Sequence, residues 1–493
     1  MNVSLDEHRL GGLRWIVLRG PDREAFRALG EHMRDELAAL TKTWGLAAKL
    51  RQHVAGPPGN GRLASVRQAS ENRFPEAWAE LAAFAEGAAM PFEDLALMNF
   101  RGDLGPVTGG IGCSDLAWRR ERSLIGHNED GSPENVGQCA LLTLALDGLP
   151  TLTAFWYPGF LPTNAFTVTA DGLVWTIDHL PVASPGHGAA RHFVGRGLQR
   201  SARTLEMAVD YLSTHPSAGG FAYTIGDRAG QIVNVEALAG RHASVAAGAE
   251  SGPLLWHTNH GRYLPGAEPA PGGNSVARGQ TLSALGVPEQ DPDPAWFLRV
   301  LADTPLPCGV RRDHEADDPA ITLCTFIADL TAGQAVIAAR DEQPVMIPLS
   351  DLAEGHPHRQ RQLASAGSTG SAGSTGSAGS AGSAGSALPP LPWTRPTRSA
   401  VREPQRVAGQ AMQDPSTPEV HVAAAEESDL DDPAHCAWRD PAHAEGPCRG
   451  HPLSAMQRHE ISPRSARSAR AGSPCGPQVQ HAREPPAGNT YLK

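Results

Sequence analysis

Apolar residues recur at helical spacing from Phe26 through Leu29, Met33 and Leu37 to Leu40. One face of that stretch is therefore apolar, and a helix is expected with Asp22 at its cap. Trp78, Leu81 and Phe84 mark a second helix. From Ala140 to Ile177 the pattern changes to short runs rich in β-formers, ALLTLALD, LTAFWY, AFTVT and LVWTI, parted by Gly, Pro and Asn. Such runs predict an antiparallel meander, with the stretch around Cys113 opening that sheet. Helical spacing returns in RHFVGRGLQ and TLEMAVDYL, and strands follow in FAYTIG and QIVNVE. A helix from Asp293 to Leu301 has Asp293 at the cap and Pro294 at the first position, where an N–H would have no partner. Two last strands, ITLCTFIADL and AVIAA, complete the pattern. Sheet, helices and sheet in one chain predict an α+β layered domain.

The patterning then stops. From Ser365 the chain repeats Ser, Ala and Gly, with no side chain large enough to bury, so residues 353–387 are expected to be a flexible linker. Residues 388–493 are rich in Pro, Ala, Arg, Ser and His without a period of 2 or 3.6, and a disordered tail is expected there. Trp393 and Trp438 are its candidate anchors for a partner.

Composition narrows the classes of function. A chain of 493 residues is long enough for a substantial core. Its net charge of -11 argues against a binder of nucleic acid or of an anionic membrane, which needs a basic face, and favours a small neutral or amphipathic substrate. No apolar run has the length to span a membrane, and the opening MNVSLDEHRL reads as neither signal nor transit peptide, so a cytoplasmic protein is expected. The cysteines (Cys113, Cys139, Cys308, Cys324, Cys436, Cys448 and Cys475) form no CxxC pair. Reduced thiols are expected, one of them a nucleophile.

The stretch TGGIGCSDLAW, followed by SLIGHNEDGS, carries the candidate chemistry. Gly109, Gly110 and Gly112 give the backbone before Cys113 the freedom to bring the thiol onto the preceding carbonyl. Attack on Gly112 and hydrolysis of the resulting thioester would free an α-amino group on Cys113. That amine has an ordinary pKa of about 7.7–8.0, close enough to neutrality to take the thiol proton. One residue would then supply nucleophile and base.

Gly-Cys alone is a weak signal, but several motifs accompany it in order: GCSD at Cys113, GHNED at Gly126–Asp130, PGFLPTNAF, DGLVWTID, RHFVGRGLQRSARTLEMAVDYL, and WHTNHG at Trp256–Gly261. Together they resemble the acyl-coenzyme A:6-aminopenicillanic acid acyltransferase family of N-terminal-nucleophile hydrolases, related to penicillin V acylases and bile salt hydrolases. The resemblance covers roughly residues 10 to 350. It implies a four-layer αββα fold and cleavage between Gly112 and Cys113. Residues 1–112 would become a small chain held on a catalytic large chain, 113–352. It further implies Cys113 as nucleophile, Asp130 as the carboxylate that orients the new α-amine, and Asn259 as the amide that stabilises the oxyanion. A late arginine is implied too, with Arg311 and Arg312 as its candidates. Where relatives carry an asparagine for a second oxyanion or substrate contact, this chain has Asp178 before His179. The activity implied is amide hydrolysis or acyl transfer on a small acyl substrate. No cofactor or metal is implied, and acyl-coenzyme A would enter only as an acyl donor.

Other readings carry less. Glu129 and Asp130 could be taken for a glycosidase pair, but neighbours on a strand point to opposite faces. His257 and His260 lack an HExxH context, and their odd spacing on a strand likewise separates them. No GxSxG, Walker or dinucleotide fingerprint occurs. The alternative from a different class is a non-cleaving relative that binds acylated ligands, or a scaffold that uses the tail.

Overall fold

The runs expected as strands pair into two sheets in the computed structural model, which describes residues 2–362 apart from 106–111, 183–185, 249, 270–273, 316–317 and 358–359. The expected linker beyond residue 362 and the whole expected tail, Trp393 and Trp438 included, lie outside the described residues. In chain order the strands are β1 (Ser4–Leu10), β2 (Leu13–Gly20), β3 (Gly112–Arg119), β4 (Ser123–Gly131), β5 (Ala140–Leu146), β6 (Leu152–Trp156), β7 (Asn164–Thr169) and β8 (Val174–His179). They continue as β9 (Gly220–Gly226), β10 (Ile232–Leu238), β11 (Arg241–Ala246), β12 (Leu254–His257), β13 (Ile321–Asp329), β14 (Gln334–Ala339), β15 (Val345–Pro348) and β16 (Arg361–Gln362). One sheet has nine strands in the order β1-β2-β5-β6-β7-β8-β9-β10-β11, and the other has seven, β12-β3-β4-β13-β14-β15-β16.

The meander expected from Ala140 to Ile177 is β5 to β8 of the first sheet, but the Cys113 stretch does not open it. β3 pairs with β4 and β12 in the second sheet, while the edge of β5 is taken by β2 in a parallel ladder. The reason lies in burial. β3 and β4 are covered on both faces, so apolar alternation alone does not say which sheet they join.

The inner faces of the sheets lie against each other, with the rings of Phe166 on β7 and Phe326 on β13 stacked 4.0 Å apart. Side-chain alternation then assigns each residue of the second sheet to a layer. Ala117, Ile125, Phe326 and Ile337 join the main core between the sheets. Their neighbours Leu116, Trp118, Leu124, Ile327 and Val336 join a second core under the helices Ser275–Ala284 and Pro294–Leu298. On the outer face of the first sheet, the helix Asp22–His32 packs on β2 and the helix Leu205–Thr214 on β10 and β11. The order is helix, sheet, sheet, helix, the four-layer αββα arrangement.

The first predicted helix is two. It breaks at Met33, and the helix Arg34–Trp44 follows. Pro21 rather than Asp22 occupies the cap, and Asp22 instead pairs with Arg200 at 2.7 Å. The helix Asp22–His32 crosses the helix Pro75–Ala88 with backbone almost touching backbone. A Cβ on Gly30 would lie 2.2 Å from the Phe84 carbonyl oxygen, and one on Gly87 would lie 2.0 Å from that of Arg27. Asp293 does cap its helix, accepting from the Trp296 amide at 2.8 Å.

Candidate active site

Antiparallel register on β3 and β4 sets Gly112 opposite Asp130, Cys113 opposite Glu129 and Asp115 opposite His127. The pleat turns Cys113, Asp115, His127 and Glu129 toward the space between the sheets, on the face shared with Ala117 and Ile125. There the buried Cys113 thiol donates to Glu129 Oε2 at 3.2 Å. Glu129 also accepts from the Tyr157 hydroxyl at 2.6 Å and lies 3.3 Å from His127 Nε2. His127 Nδ1 is 2.6 Å from Asp115 Oδ1, and Asp115 Oδ2 accepts from the hydroxyls of Thr176 and Thr224, each at 2.6 Å. The thiol thus ends a hydrogen-bonded chain of two carboxylates and an imidazole on β3 and β4, closed at its far end by two hydroxyls of the other sheet.

The chain sets the charges. Burial first, and then the charge of Glu129, pushes the Cys113 thiol well above the ordinary cysteine value, so the resting group is S–H; the hydrogen bond with His127 acts the other way. For His127, burial opposes the charged form. Hydrogen bonding to Asp115, its charge, and contacts with Cys113 and Glu129 outweigh that and hold the imidazole well above its usual value. It is an imidazolium with both nitrogens protonated.

The Gly112–Cys113 peptide is gripped from a second side. β12 runs antiparallel to β3 with His257 opposite Asp115, so the chain leaving β12 carries Asn259 past Cys113. Asn259 Oδ1 accepts from the Cys113 amide at 2.9 Å and from Arg278 Nη2 at 2.7 Å. Arg278 also donates to the Cys113 carbonyl and, at 2.8 Å, to the Ser114 hydroxyl. The amide nitrogen of Asn259 donates to the His179 carbonyl at 3.0 Å. The oxygen of Asn259, not its N–H2, therefore faces the Gly112–Cys113 peptide bond.

Asp130 lies on the other face of β4, with its Oδ1 accepting from Thr322 at 2.7 Å and its Oδ2 3.7 Å from Arg312 Nη1. Burial raises its pKa, while Arg312, Arg278 and Thr322 pull it down. Of the two candidate arginines, the structure brings only Arg312 to the site. Arg311 pairs with Asp313 at 2.8 Å and donates to the carbonyl of Asp303 at 3.0 Å. Gly112 sits where Asn259, Arg278 and Arg312 converge, and a Cβ there would lie 2.6 Å, 2.8 Å and 2.8 Å from their polar atoms. Gly109 and Gly110 lie outside the described residues. Asp178 is buried on β8 with neither carboxylate oxygen hydrogen-bonded, 3.6 Å from His257 Nδ1. Burial and the nearby charge of Asp115 raise its pKa well above the ordinary range, which favours the protonated acid.

Asp115, His127, Tyr157 and Arg278 belong to the site without having been singled out in the sequence, and Glu129 was weighed there only as half of a glycosidase pair. His127 and Glu129 were within reach, since residues two apart on a strand share a face. Nothing local marks Arg278, on the exposed-looking run SVARGQTLSA. The ligand atoms of Cys113, His127 and Glu129 lie within 4.8 Å of one another, as do those of Asp115, His127 and Asp178, and these are the described residues that could hold a divalent ion. The hydrogen bonds of His127 to Asp115 and Glu129, and of Glu129 to the thiol, link the first three residues and Asp115, whereas Asp178 stands beside them without a hydrogen bond. His257 pairs with Glu236 at 2.8 Å, and His260 with the Ser275 hydroxyl at 2.8 Å. Cys113, Cys139 and Cys324 carry free thiols, whereas Cys308 is disulfide-bonded, which corrects the expectation of reduced thiols there.

No curated protein matches the chain. Among solved structures, it is similar to a Caenorhabditis elegans ortholog of N-acylethanolamine-hydrolyzing acid amidase, at 12% identity over 44% of this chain and 93% of that one, TM-score 0.31. A mutant conjugated bile acid hydrolase from Clostridium perfringens is 13% identical over 51% of this chain and 96% of that one, TM-score 0.34. Penicillin V acylase from Agrobacterium tumefaciens is 11% identical over 51% and 90%, TM-score 0.33. A family match takes in Asp130, Asp178, Asn259, Arg278 and Arg312 and begins beyond Cys113. Residues 118–343 match the family described as Acyl-coenzyme A:6-aminopenicillanic acid acyl-transferase.

Proposed function

We propose that this chain is a self-cleaving cysteine N-terminal-nucleophile enzyme that hydrolyses an amide or transfers an acyl group through a thioester on Cys113. The family match supports acyl transfer or amide hydrolysis as the broad class. The observation that carries the finer reading is the double grip on Cys113. Its amide nitrogen, one end of the bond to be cut, is held by Asn259 at 2.9 Å, and its thiol is held by Glu129 at 3.2 Å. Cleavage turns that nitrogen into an α-amine with a pKa near neutrality, which takes the thiol proton in turnover. Asp130, across the strand pair from Gly112, is the carboxylate to which the ammonium would turn. Once cut, the Asn259 side chain would be released from the amide it now accepts from, and its N–H2 could turn to a developing oxyanion.

The two products of the cut would stay together. β2 of the small chain is an interior strand of the nine-stranded sheet, between β1 and β5, pairing β5 through Arg14–Gly20, with Trp15, Ile16, Val17 and Leu18 in the core. The substrate class is a small acyl compound, amide or thioester, with acyl-coenzyme A as one chemically competent donor. Intact mass of protein made under reducing conditions tests the reading: a fragment beginning at Cys113 is expected, and Cys113→Ala should remain one inactive chain. A wild-type protein that stays uncut yet binds acylated ligands would instead be a non-cleaving relative.

A further inference from the structure

We propose that Glu129 is the base that starts self-cleavage, a role that rests on the reading of Cys113 as a self-cleaving nucleophile. The α-amine that would serve turnover does not exist before the cut. The Cys113 nitrogen is then an amide whose N–H donates to Asn259 Oδ1, and it has no basic lone pair to offer. The thiol is held in its neutral form by burial, so the first step needs some other proton acceptor within hydrogen-bond reach.

Glu129 is that acceptor. It is the register partner of Cys113, on the same inner face, and its Oε2 already accepts the thiol at 3.2 Å. The carboxylate is fixed from two more directions, by the Tyr157 hydroxyl at 2.6 Å and by His127, itself anchored on Asp115 at 2.6 Å. The other titratable neighbours are unsuited. His127 has a carboxylate against each ring nitrogen, and as an imidazolium it has no lone pair free. Asp130 is on the opposite face of β4, engaged with Thr322 and Arg312. Asp178 makes no hydrogen bond to the thiol with either oxygen, and burial disfavours its charged form.

In the step itself, Glu129 takes the proton from Cys113 Sγ while sulfur bonds to the Gly112 carbonyl carbon and the π pair moves onto oxygen. That pair returns, the bond from carbon to the Cys113 nitrogen breaks, and the proton held by Glu129 passes to the departing nitrogen. Solvent water then adds to the thioester carbon and the carbon–sulfur bond breaks, one water proton passing to sulfur to restore the thiol and the other to the new α-amine, which leaves a Gly112 carboxylate. Glu129 ends the sequence as the carboxylate it began as.

The test follows cleavage of the full-length chain after cell-free translation, by denaturing gel and intact mass, with near-UV circular dichroism to establish folding. Glu129→Gln keeps the shape and the Tyr157 contact but cannot take a proton, and it should cleave at least about a hundredfold more slowly than wild type. Glu129→Asp keeps the carboxylate but withdraws it by one methylene, and it should cleave at an intermediate rate. A folded Glu129→Gln chain that cleaves at the wild-type rate overturns the proposal. Should that variant fail to fold, Glu129→Asp decides: slowed cleavage in a folded chain supports the role, and an unchanged rate overturns it. Wild-type chain that never cleaves would defeat the reading of Cys113 instead, and the two failures are thereby told apart.

Discussion

The backbone nitrogen of Cys113 and the side chain of Asn259, 146 residues apart in the chain, meet at 2.9 Å. The same Asn259 oxygen is an anchor for Arg278, which also holds the Cys113 carbonyl. One amide therefore positions the peptide on both sides of the Cys113 α-carbon. Asn259→Ala removes the acceptor and frees Arg278, and turnover should fall by about a hundredfold or more. The melting temperature should move by only a few degrees, because Asn259 lies at the rim of the core. Normal turnover in a chain that melts much lower would make Asn259 a structural residue.

Gly112 is predicted to be intolerant of even one methyl group. Its added Cβ would come within 2.6 Å of Asn259 Oδ1 and 2.8 Å of both Arg278 and Arg312. Those atoms are the ends of side chains and can withdraw, so the fold should survive while the grip on the scissile bond opens. For Gly112→Ala, intact mass over time should show cleavage slowed by about a hundredfold in a chain that remains folded. Cleavage at the wild-type rate would mean that the three side chains do not need their present places.

How much of this site was legible beforehand differs residue by residue. Cys113 and Gly112 stand out because a thiol after glycines is a recognisable local pattern, and Asn259 and Asp130 because ordered motifs resemble a family. The helices carrying Trp78 and Leu205 were legible from spacing, and Thr204 caps the second, accepting from the Met207 amide at 3.2 Å. What could not be read was which strands join which sheet. β3 and β4 are buried on both faces, so nothing in their pattern distinguishes the nine-stranded sheet from the seven-stranded one. The partners of Asp115 depend on that pairing, since Thr176 and Thr224 reach it from the other sheet. Arg278 is a long-range contact with no local signature at all.

His127 should make the stability of the fold depend on pH. Its folded pKa lies well above the usual histidine value because Asp115, Cys113 and Glu129 favour the charged form more than burial opposes it. A raised folded pKa contributes stability fully present below the unfolded value of about 6.5, and that stability is lost as pH rises through the folded value. His127→Gln removes the titration, so the gap in melting temperature between wild type and variant should be widest at about pH 6 and narrow toward about pH 10. Asp178 and Cys113 both feel the His127 charge, which pulls their raised pKa values down, so their titrations move with its removal and are part of the same gap. A gap that stays constant over the range would mean that His127 is neutral in the folded protein.

A buried ion pair remote from the thiol gives the opposite outcome, stability without chemistry. Arg196, on the helix Arg191–Ser201, makes a two-pronged bond to Glu80, on the helix Pro75–Ala88, with both contacts at 2.7 Å. Glu80 is fully buried and Arg196 is 1% exposed. Glu80 also accepts from Arg200 at 2.5 Å, so one carboxylate ties two arginines of the same helix to the outer layer. Replacing the pair by apolar residues need not destabilise, but removing one partner leaves the other charge buried and uncompensated. Glu80→Ala should therefore lower the unfolding free energy by about 3–5 kcal/mol, read from urea denaturation. The folded fraction should still cleave and turn over at the wild-type rate, because neither arginine reaches Cys113 or Asn259. A loss of activity in fully folded Glu80→Ala protein would tie this outer layer to the site in a way the packing does not suggest, whereas a loss of stability under about 1 kcal/mol would mean that water reaches Arg196 once the carboxylate is gone.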